Sequence, residues 1–172
     1  MPAPKSTEAL LALGSNLGDR LRNLREGLAR LAGTGRIRIV ACSSLYASDP
    51  VGAAGGEFYN AVIRVRTDAD PRTLLDLAKQ AEHAAGRTGS GHDARPLDVD
   101  ILYFGDAVVS DAELAIPHPR RLERPFVRIP LAKVCGSDAD PATGRPIATE
   151  ISVRAHDEEG IRLVAGPEWA ES

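Results

Sequence analysis

Apolar and polar positions along this chain recur in two different periods, and each change of period marks an element. A continuous apolar run, Ala9-Leu10-Leu11-Ala12-Leu13, stops at Gly14-Ser15-Asn16 and has the form of a buried first strand. Leu21, Leu24, Leu28 and Leu31 then recur at spacings of three and four, one apolar helical stripe that Asn16 or Asp19 can cap and that residues 33–35 end. Residues 36–46 alternate, with Ile37, Ile39, Ala41 and Leu45 on one face and Arg36, Arg38 and Ser44 on the other, as in a half-buried strand. Residues 58–66 alternate again. The glycine-rich loop between them, residues 48–56, is too short for a helical crossover, so the two strands are expected to be antiparallel. Asp70-Pro71 opens a second helix, with Asp as cap and Pro in the first turn. Leu74, Ala78, Ala81 and Ala85 mark its buried face, and Gly86 its end.

A second glycine-bearing loop, residues 87–94, leads into Arg95-Pro96-Leu97-Asp98-Val99-Asp100-Ile101-Leu102-Tyr103-Phe104. In a strand, residues two apart share a face. Asp98 and Asp100 are therefore expected on one face, and Leu97, Val99, Ile101 and Tyr103 on the other. A turn at Gly105-Asp106, a short strand at 107–109, a helix from near Pro125 to Val134, a turn at Thr143-Gly144, a helix at about 146–155 and a last strand at 161–164 complete the prediction. Two strand–helix units around an antiparallel hairpin predict an α+β, ferredoxin-like arrangement with a mostly antiparallel sheet.

Composition narrows the class. The chain has 172 residues, 43% hydrophobic and 26% charged, which suits one soluble globular domain over its whole length. A formal net charge of −3 argues against a general nucleic-acid surface, and no apolar run approaches a membrane span. Cys42 and Cys135 lack metal-type spacing and are expected to be free thiols. With no signal-peptide core at the N-terminus, a cytoplasmic protein is expected, and a monomer.

Two carboxylates side by side at a strand entry repel, and burying both ionised costs several kcal/mol. Arg95 is one candidate for the cation between them and a divalent metal the better one; a solvated strand end is the alternative, and from the pair alone metal and solvent stand level. Arg87, Arg95, Arg120, Arg121 and Arg124 lie in or beside the flanking loops, and guanidinium forks among acids fit a polyphosphate with its metal. Gly86-Arg87-Thr88-Gly89-Ser90-Gly91 lacks the lysine ending of a Walker loop, and Leu13-Gly14-Ser15-Asn16-Leu17-Gly18 lacks the full dinucleotide fingerprint. The loops at 48–56 and 86–94 read as lids. His118, between two prolines and beside arginines, can donate to a phosphate oxygen. Phe58 and Phe126, two of three phenylalanines, each stand beside a lid or a loop where a flat heterocycle can stack. Glu82, one turn before Arg87, can orient it.

In order, Leu11-Ala12-Leu13-Gly14-Ser15-Asn16-Leu17, Ser43-Ser44-Leu45-Tyr46, Phe58-Tyr59-Asn60-Ala61, Arg95-Pro96-Leu97-Asp98-Val99-Asp100-Ile101-Leu102 and Pro117-His118-Pro119 resemble the 6-hydroxymethyl-7,8-dihydropterin pyrophosphokinases of the folate pathway. The resemblance covers about residues 8–136, leaving 137–172 as a C-terminal extension of the same domain. It implies an α/β/α sandwich that transfers the β,γ-diphosphate of ATP to the pterin hydroxymethyl group and leaves AMP. It implies that Asp98 and Asp100 hold two Mg²⁺ ions, and that Arg87 and Arg95 hold the triphosphate. ATP contacts are implied at Lys79, Glu82, Ile101, His118 and Arg124. Phe58 and Phe126 are implied to sandwich the pterin, with Asn60, Asp98 and residues Ser48, Pro50 and Val51 along its edge. The chain departs from the family before Arg95, where His92, Asp93 and Ala94 replace a longer segment bearing a tryptophan; the only tryptophan here is Trp169. Lys79 and Pro119 stand where glutamine and tyrosine are common. Two other classes remain: a two-metal nucleotidyltransferase, which would release pyrophosphate, and a ferredoxin-like binding module without catalysis.

Overall fold

A computed structural model of the chain describes residues 2, 5–50, 56–86, 94–154 and 160–171. β1 (Thr7–Ser15) leads into α1 (Arg20–Gly33), β2 (Ile37–Cys42), β3 (Leu45–Ser48) and β4 (Phe58–Thr67). α2 (Pro71–Ala84) and β5 (Asp98–Phe104) follow, then a two-stranded ribbon of β6 (Val109–Ser110) and β7 (Ala115–Ile116). α3 (Pro125–Val134), α4 (Ile147–Val153), β8 (Ile161–Ala165) and a single 3-10 turn at Pro167–Ala170 complete the order. Asp19, not Asn16, caps α1 by accepting from the Arg22 N–H. Asp70 caps α2 through the Thr73 N–H at 2.8 Å, with Pro71 in the first turn as predicted.

The main sheet runs β5-β1-β4-β3-β8, with β2 also paired to β4 and every pairing antiparallel. β4 is long enough to serve two partners in one lane: residues 63–67 pair with β2 and residues 58–60 with β3. The predicted strand over 36–46 is therefore two strands. Ser43 and Ser44 lie between them, and the Ser43 carbonyl receives the Trp169 indole N–H at 2.8 Å.

Helices cover both faces. On one, Leu11, Leu13, Ile63, Val65, Val99 and Ile101 pack against the stripes Leu24, Leu28, Leu31 and Leu74, Ala78, Ala81, with Trp169 in the same core. On the other, Leu10, Val62, Leu102 and Tyr103 meet Val127, Leu131 and Val134 of α3 and Ile147 and Ile151 of α4. Each fully buried Leu or Ile contributes about 1.5–3 kcal/mol of transfer free energy, so both layers are held by many small terms. This is the predicted α/β/α sandwich.

Two bulges correct the predicted phases. Leu11 pairs with Ile101 but Leu10 with Tyr103, so β5 carries an extra residue at Leu102. Tyr103 thereby leaves the face of Val99 and Ile101 and joins the second core. Likewise Ile39 pairs with Val65 and Ala41 with Arg64, which turns Ala41 to the second core while Ile37 and Ile39 stay with the first. The strand predicted at 107–109 is centred instead on Val109–Ser110, and Ser48, predicted as loop, is the buried last residue of β3. No helix among the described residues is long and apolar enough to cross a membrane.

Candidate active site

The second face changes character toward one end of the sheet. Directly opposed residues of antiparallel strands point the same way. Asp98 pairs with Gly14, Gly14 with Asn60, and Asn60 with Tyr46, so these four form one row across β5, β1, β4 and β3. Asp100, Ala12 and Val62 form the next row toward the core. Glycine and alanine thus stand beside the two aspartates, and the lane over them carries little side-chain bulk. A Cβ at Gly14 would lie 3.6 Å from the Phe58 ring, 3.8 Å from Asn60 Oδ1 and 3.9 Å from Asp98 Cβ. Gly14 is therefore the floor on which those three residues converge.

Asp98 and Asp100 share the predicted face. Arg95 Nη1 lies 3.4 Å from Asp98 Oδ1, with side chains 13% and 25% exposed. The backbone of Arg95 is held by Asn16: its N–H donates to Asn16 Oδ1 at 2.7 Å, and its carbonyl accepts from the Asn16 N–H at 3.1 Å. Asn16 is buried and joins the end of β1 to the entry of β5. On the free side of β5, Glu82 Oε1 accepts from the Val99 N–H at 2.8 Å. Val99 lies between the two aspartates, so Glu82 fixes the backbone that presents both.

His118 enters from the loop between β7 and α3. Its N–H donates to the carbonyl of Leu102, the bulged residue of β5, at 2.9 Å. Its Nδ1 accepts from the Arg120 N–H at 3.1 Å, which assigns the remaining ring hydrogen to Nε2. Burial, then the charges of Arg124 and Arg120, hold the imidazole pKa below its ordinary value, opposed by Asp98. The ring is thus a neutral donor at pH 7. Arg124, at the N-terminal boundary of α3, has its guanidinium 5.6 Å from the centre of the Phe126 ring. Burial and Arg120 lower its pKa, while Asp100 and Asp98 raise it. Arg124, His118 and the aspartates therefore share one electrostatic neighbourhood.

Asn60 is buried and donates through Nδ2 to Ser48 Oγ at 2.8 Å, tying the pocket edge to β3. Phe126, in the first turn of α3, is half-buried against the second core, and Phe58 is half-buried at the start of β4. Pro50 is exposed at the lip, and Lys79 is exposed on α2. Ile101 turns its side chain into the first core, so only its backbone can serve a ligand. Arg121 does not face the aspartates; its guanidinium is committed to the buried Asp140. Arg87 and Val51, with His92 and Asp93 of the departing segment, lie outside the described residues.

Sequence reasoning missed Gly14 and Asn16. The signal was present in Gly14-Ser15-Asn16 at the end of an apolar run, but only the register shows which residues those groups meet. The donor set suits a hard divalent ion: two carboxylates two residues apart on one face, with small neighbours opposite. Among the described residues no group of three or more His, Cys, Asp or Glu gathers, at this site or elsewhere, so phosphate and water oxygens would complete such a coordination sphere.

The chain is similar to known proteins. The 2-amino-4-hydroxy-6-hydroxymethyldihydropteridine pyrophosphokinase of Bacillus subtilis (strain 168) is 36% identical over 157 residues, 90% of this chain and 89% of that protein. The mitochondrial folate synthesis bifunctional protein of Arabidopsis thaliana is 42% identical over 138 residues, and the matched part spans only 25% of its length. A crystal structure of wild-type Plasmodium falciparum HPPK-DHPS with pteroate matches 92% of this chain and 48% of that one, with a TM-score of 0.72 at 15% identity, a likeness of fold. The model of the family described as 7,8-dihydro-6-hydroxymethylpterin-pyrophosphokinase (HPPK) matches residues 10–136, which hold both aspartates, Asn16, Asn60, His118 and Arg124, and the chain belongs to that family.

Proposed function

We propose that the lane over Gly14 is where the chain transfers the diphosphate of ATP to the hydroxymethyl group of 6-hydroxymethyl-7,8-dihydropterin, a step of folate biosynthesis. The observation that carries the reading is the row Asp98–Gly14–Asn60: a carboxylate, an unobstructed floor and an amide, side by side, with Phe58 at the edge. A flat acceptor fits between Phe58 and Phe126, with its polar edge on Asn60, Ser48, Asp98 and the backbone of Pro50 and Val51. ATP lies on the other side, along Arg87, Arg95, His118 and Arg124, with Lys79, Glu82 and the Ile101 backbone bordering it.

The acceptor hydroxyl oxygen attacks the β-phosphorus, the bond from that phosphorus to the α-phosphate oxygen breaks, AMP leaves, and the hydroxyl proton passes to solvent. Bound between Asp98, Asp100 and the phosphates, two Mg²⁺ ions would neutralise the phosphate charge and lower the pKa of the attacking hydroxyl. Asp98 and Asp100 would hold those ions from one face of β5, because Asn16 and Glu82 fix the backbone before and between them. Arg95 and Arg124 balance charge on the phosphates, and His118 donates a hydrogen bond from Nε2 without adding charge. Support for a single domain over 1–172 comes from the shared core at Trp169. We further propose a cytoplasmic monomer that needs no nucleic-acid or membrane partner.

Incubation with ATP, Mg²⁺ and the pterin, followed by nucleotide chromatography, tests the reading. AMP in step with pterin diphosphate is expected. Release of pyrophosphate would mean nucleotidyl transfer, and neither product would leave a binding module. Asp100→Ala should abolish turnover with an unchanged circular dichroism spectrum; near-normal turnover would remove the metal argument.

A further inference from the structure

Arg121 was grouped by sequence with the arginines around the acidic pair, yet it points the other way. Its Nε and Nη2 lie 2.9 and 2.6 Å from Asp140 Oδ2, and its Nη1 donates to the His118 carbonyl at 3.0 Å. The Tyr103 hydroxyl is 3.1 Å from both Arg121 Nε and Asp140 Oδ2. Asp140 is fully buried, and the Arg121 side chain is 13% exposed. The carboxylate is itself fixed by its turn: Oδ1 accepts from the Ala142 N–H at 2.8 Å, and the Asp140 N–H donates to the Arg145 carbonyl at 2.8 Å. Asp140 lies beyond residue 136, where the family match ends.

We propose that Asp140 is a positioning residue: through Arg121 and Tyr103 it holds the loop of His118 and Arg124 against β5, so that the C-terminal segment sets the nucleotide half of the site. The inference rests on the functional reading above. His118 is gripped at both ends of its backbone, its N–H by Leu102 of β5 and its carbonyl by Arg121. With Nδ1 tied to the Arg120 N–H, the direction of Nε2 follows from where the loop is held. Tyr103 sits beside the bulge that frees the Leu102 carbonyl, so one irregularity of β5 serves both grips. Removing one member of a buried ion pair is strongly destabilising, whereas replacing both by apolar groups is often neutral or better. Stability alone is therefore served by an apolar pair, which keeps the Arg121 backbone N–H on the His118 carbonyl but not the side-chain bond from Nη1.

Two full-length variants separate these roles, Asp140→Asn and the double change Arg121→Met with Asp140→Leu. Thermal melts should show Asp140→Asn destabilised and the double variant restored. In both, KM for ATP should rise about tenfold, with kcat and the pterin KM within about twofold of wild type. In ¹⁵N-imidazole spectra, with His118 assigned by His118→Gln, the single Nε2–H tautomer of wild type should give way to a mixture in both. A restored double variant with wild-type KM for ATP and an unchanged His118 signal would overturn the proposal. The imidazole signal decides it even if the wild type forms no AMP, a result that would sink the activity reading alone.

Discussion

Replacing Asn16 by alanine tests whether the entry to β5 is held by β1. The substitution leaves the backbone bond from the Asn16 N–H to the Arg95 carbonyl, 3.1 Å, and deletes the acceptor of the Arg95 N–H, 2.7 Å away. Asn16 is 6% exposed, so little water reaches the abandoned donor. An unsatisfied buried group costs about 1–3 kcal/mol. For a chain of this size each kcal/mol lowers Tm by about 2–4 °C, so a fall of about 2–12 °C is expected by calorimetry. Activity should fall further than stability explains. Arg95 loses its backbone anchor while its guanidinium, 3.4 Å from Asp98, has under the proposed function to stay aimed at the triphosphate, and kcat/KM should drop at least about tenfold at a temperature where the variant is folded. Asn16→Asp keeps an oxygen for the N–H and should recover most of the Tm. An alanine variant that melts within a degree of wild type with unchanged kcat/KM, or an aspartate variant no more stable than alanine, would refute the reasoning.

Gly14→Ala should separate folding from acceptor binding, because its new methyl meets Phe58, Asn60 and Asp98 only at ordinary contact distances of 3.6–3.9 Å. The smaller unfolded-state entropy should add about 0.4–1 kcal/mol of stability, while KM for the pterin should rise about tenfold; an unchanged pterin KM would put the acceptor elsewhere. His118 is held neutral, with its pKa below the unfolded value of about 6.5, so the unfolded chain takes up a proton that the native protein refuses. The stability this gives is whole above that pH and lost as pH falls below it. In urea melts without metal, His118→Gln should therefore gain on wild type only below about pH 6.5, and a stability difference independent of pH would count against a neutral ring. Trp169→Phe deletes the bond to the Ser43 carbonyl, 2.8 Å, from the core, and should lower stability by about 1–3 kcal/mol; a wild-type urea midpoint would mean that the tail is not part of the cooperative fold.

Much of this was legible in local pattern. The stripes of α1 and α2, their Asp caps and the shared face of Asp98 and Asp100 each depend on residues a few positions apart, where helix and strand periods act directly. What was not legible depends on pairing between distant segments. Nothing in the alternation around Val40 or Leu102 announces an extra residue, so the faces of Ala41 and Tyr103 were assigned one step out of phase. Gly14 became a floor, and Asn16 a clamp, only when β1 was set in register between β4 and β5. Ile101 was assigned to ATP by resemblance, yet its side chain belongs to the first core, as its own alternation with Val99 predicted.

The run Arg120, Arg121, Arg124 shows how a distant carboxylate decides the use of local charge. By sequence the three are equivalent cations beside an acidic pair. A turn follows His118, with the Arg121 N–H bonded to the His118 carbonyl and the Glu123 N–H to that of Arg120. Asp140 takes Arg121 out of the group into a buried pair, at 2.6 Å. Arg120 is left exposed beside Glu123, and Arg124 half-buried near Asp98 and Asp100, where the like charge of Arg120 already repels it. A further guanidinium in that space would add repulsion between cations before any phosphate arrived. By pairing it, the C-terminal segment lowers the charge facing the site and leaves Arg124 and Arg95 as cations beside the two aspartates.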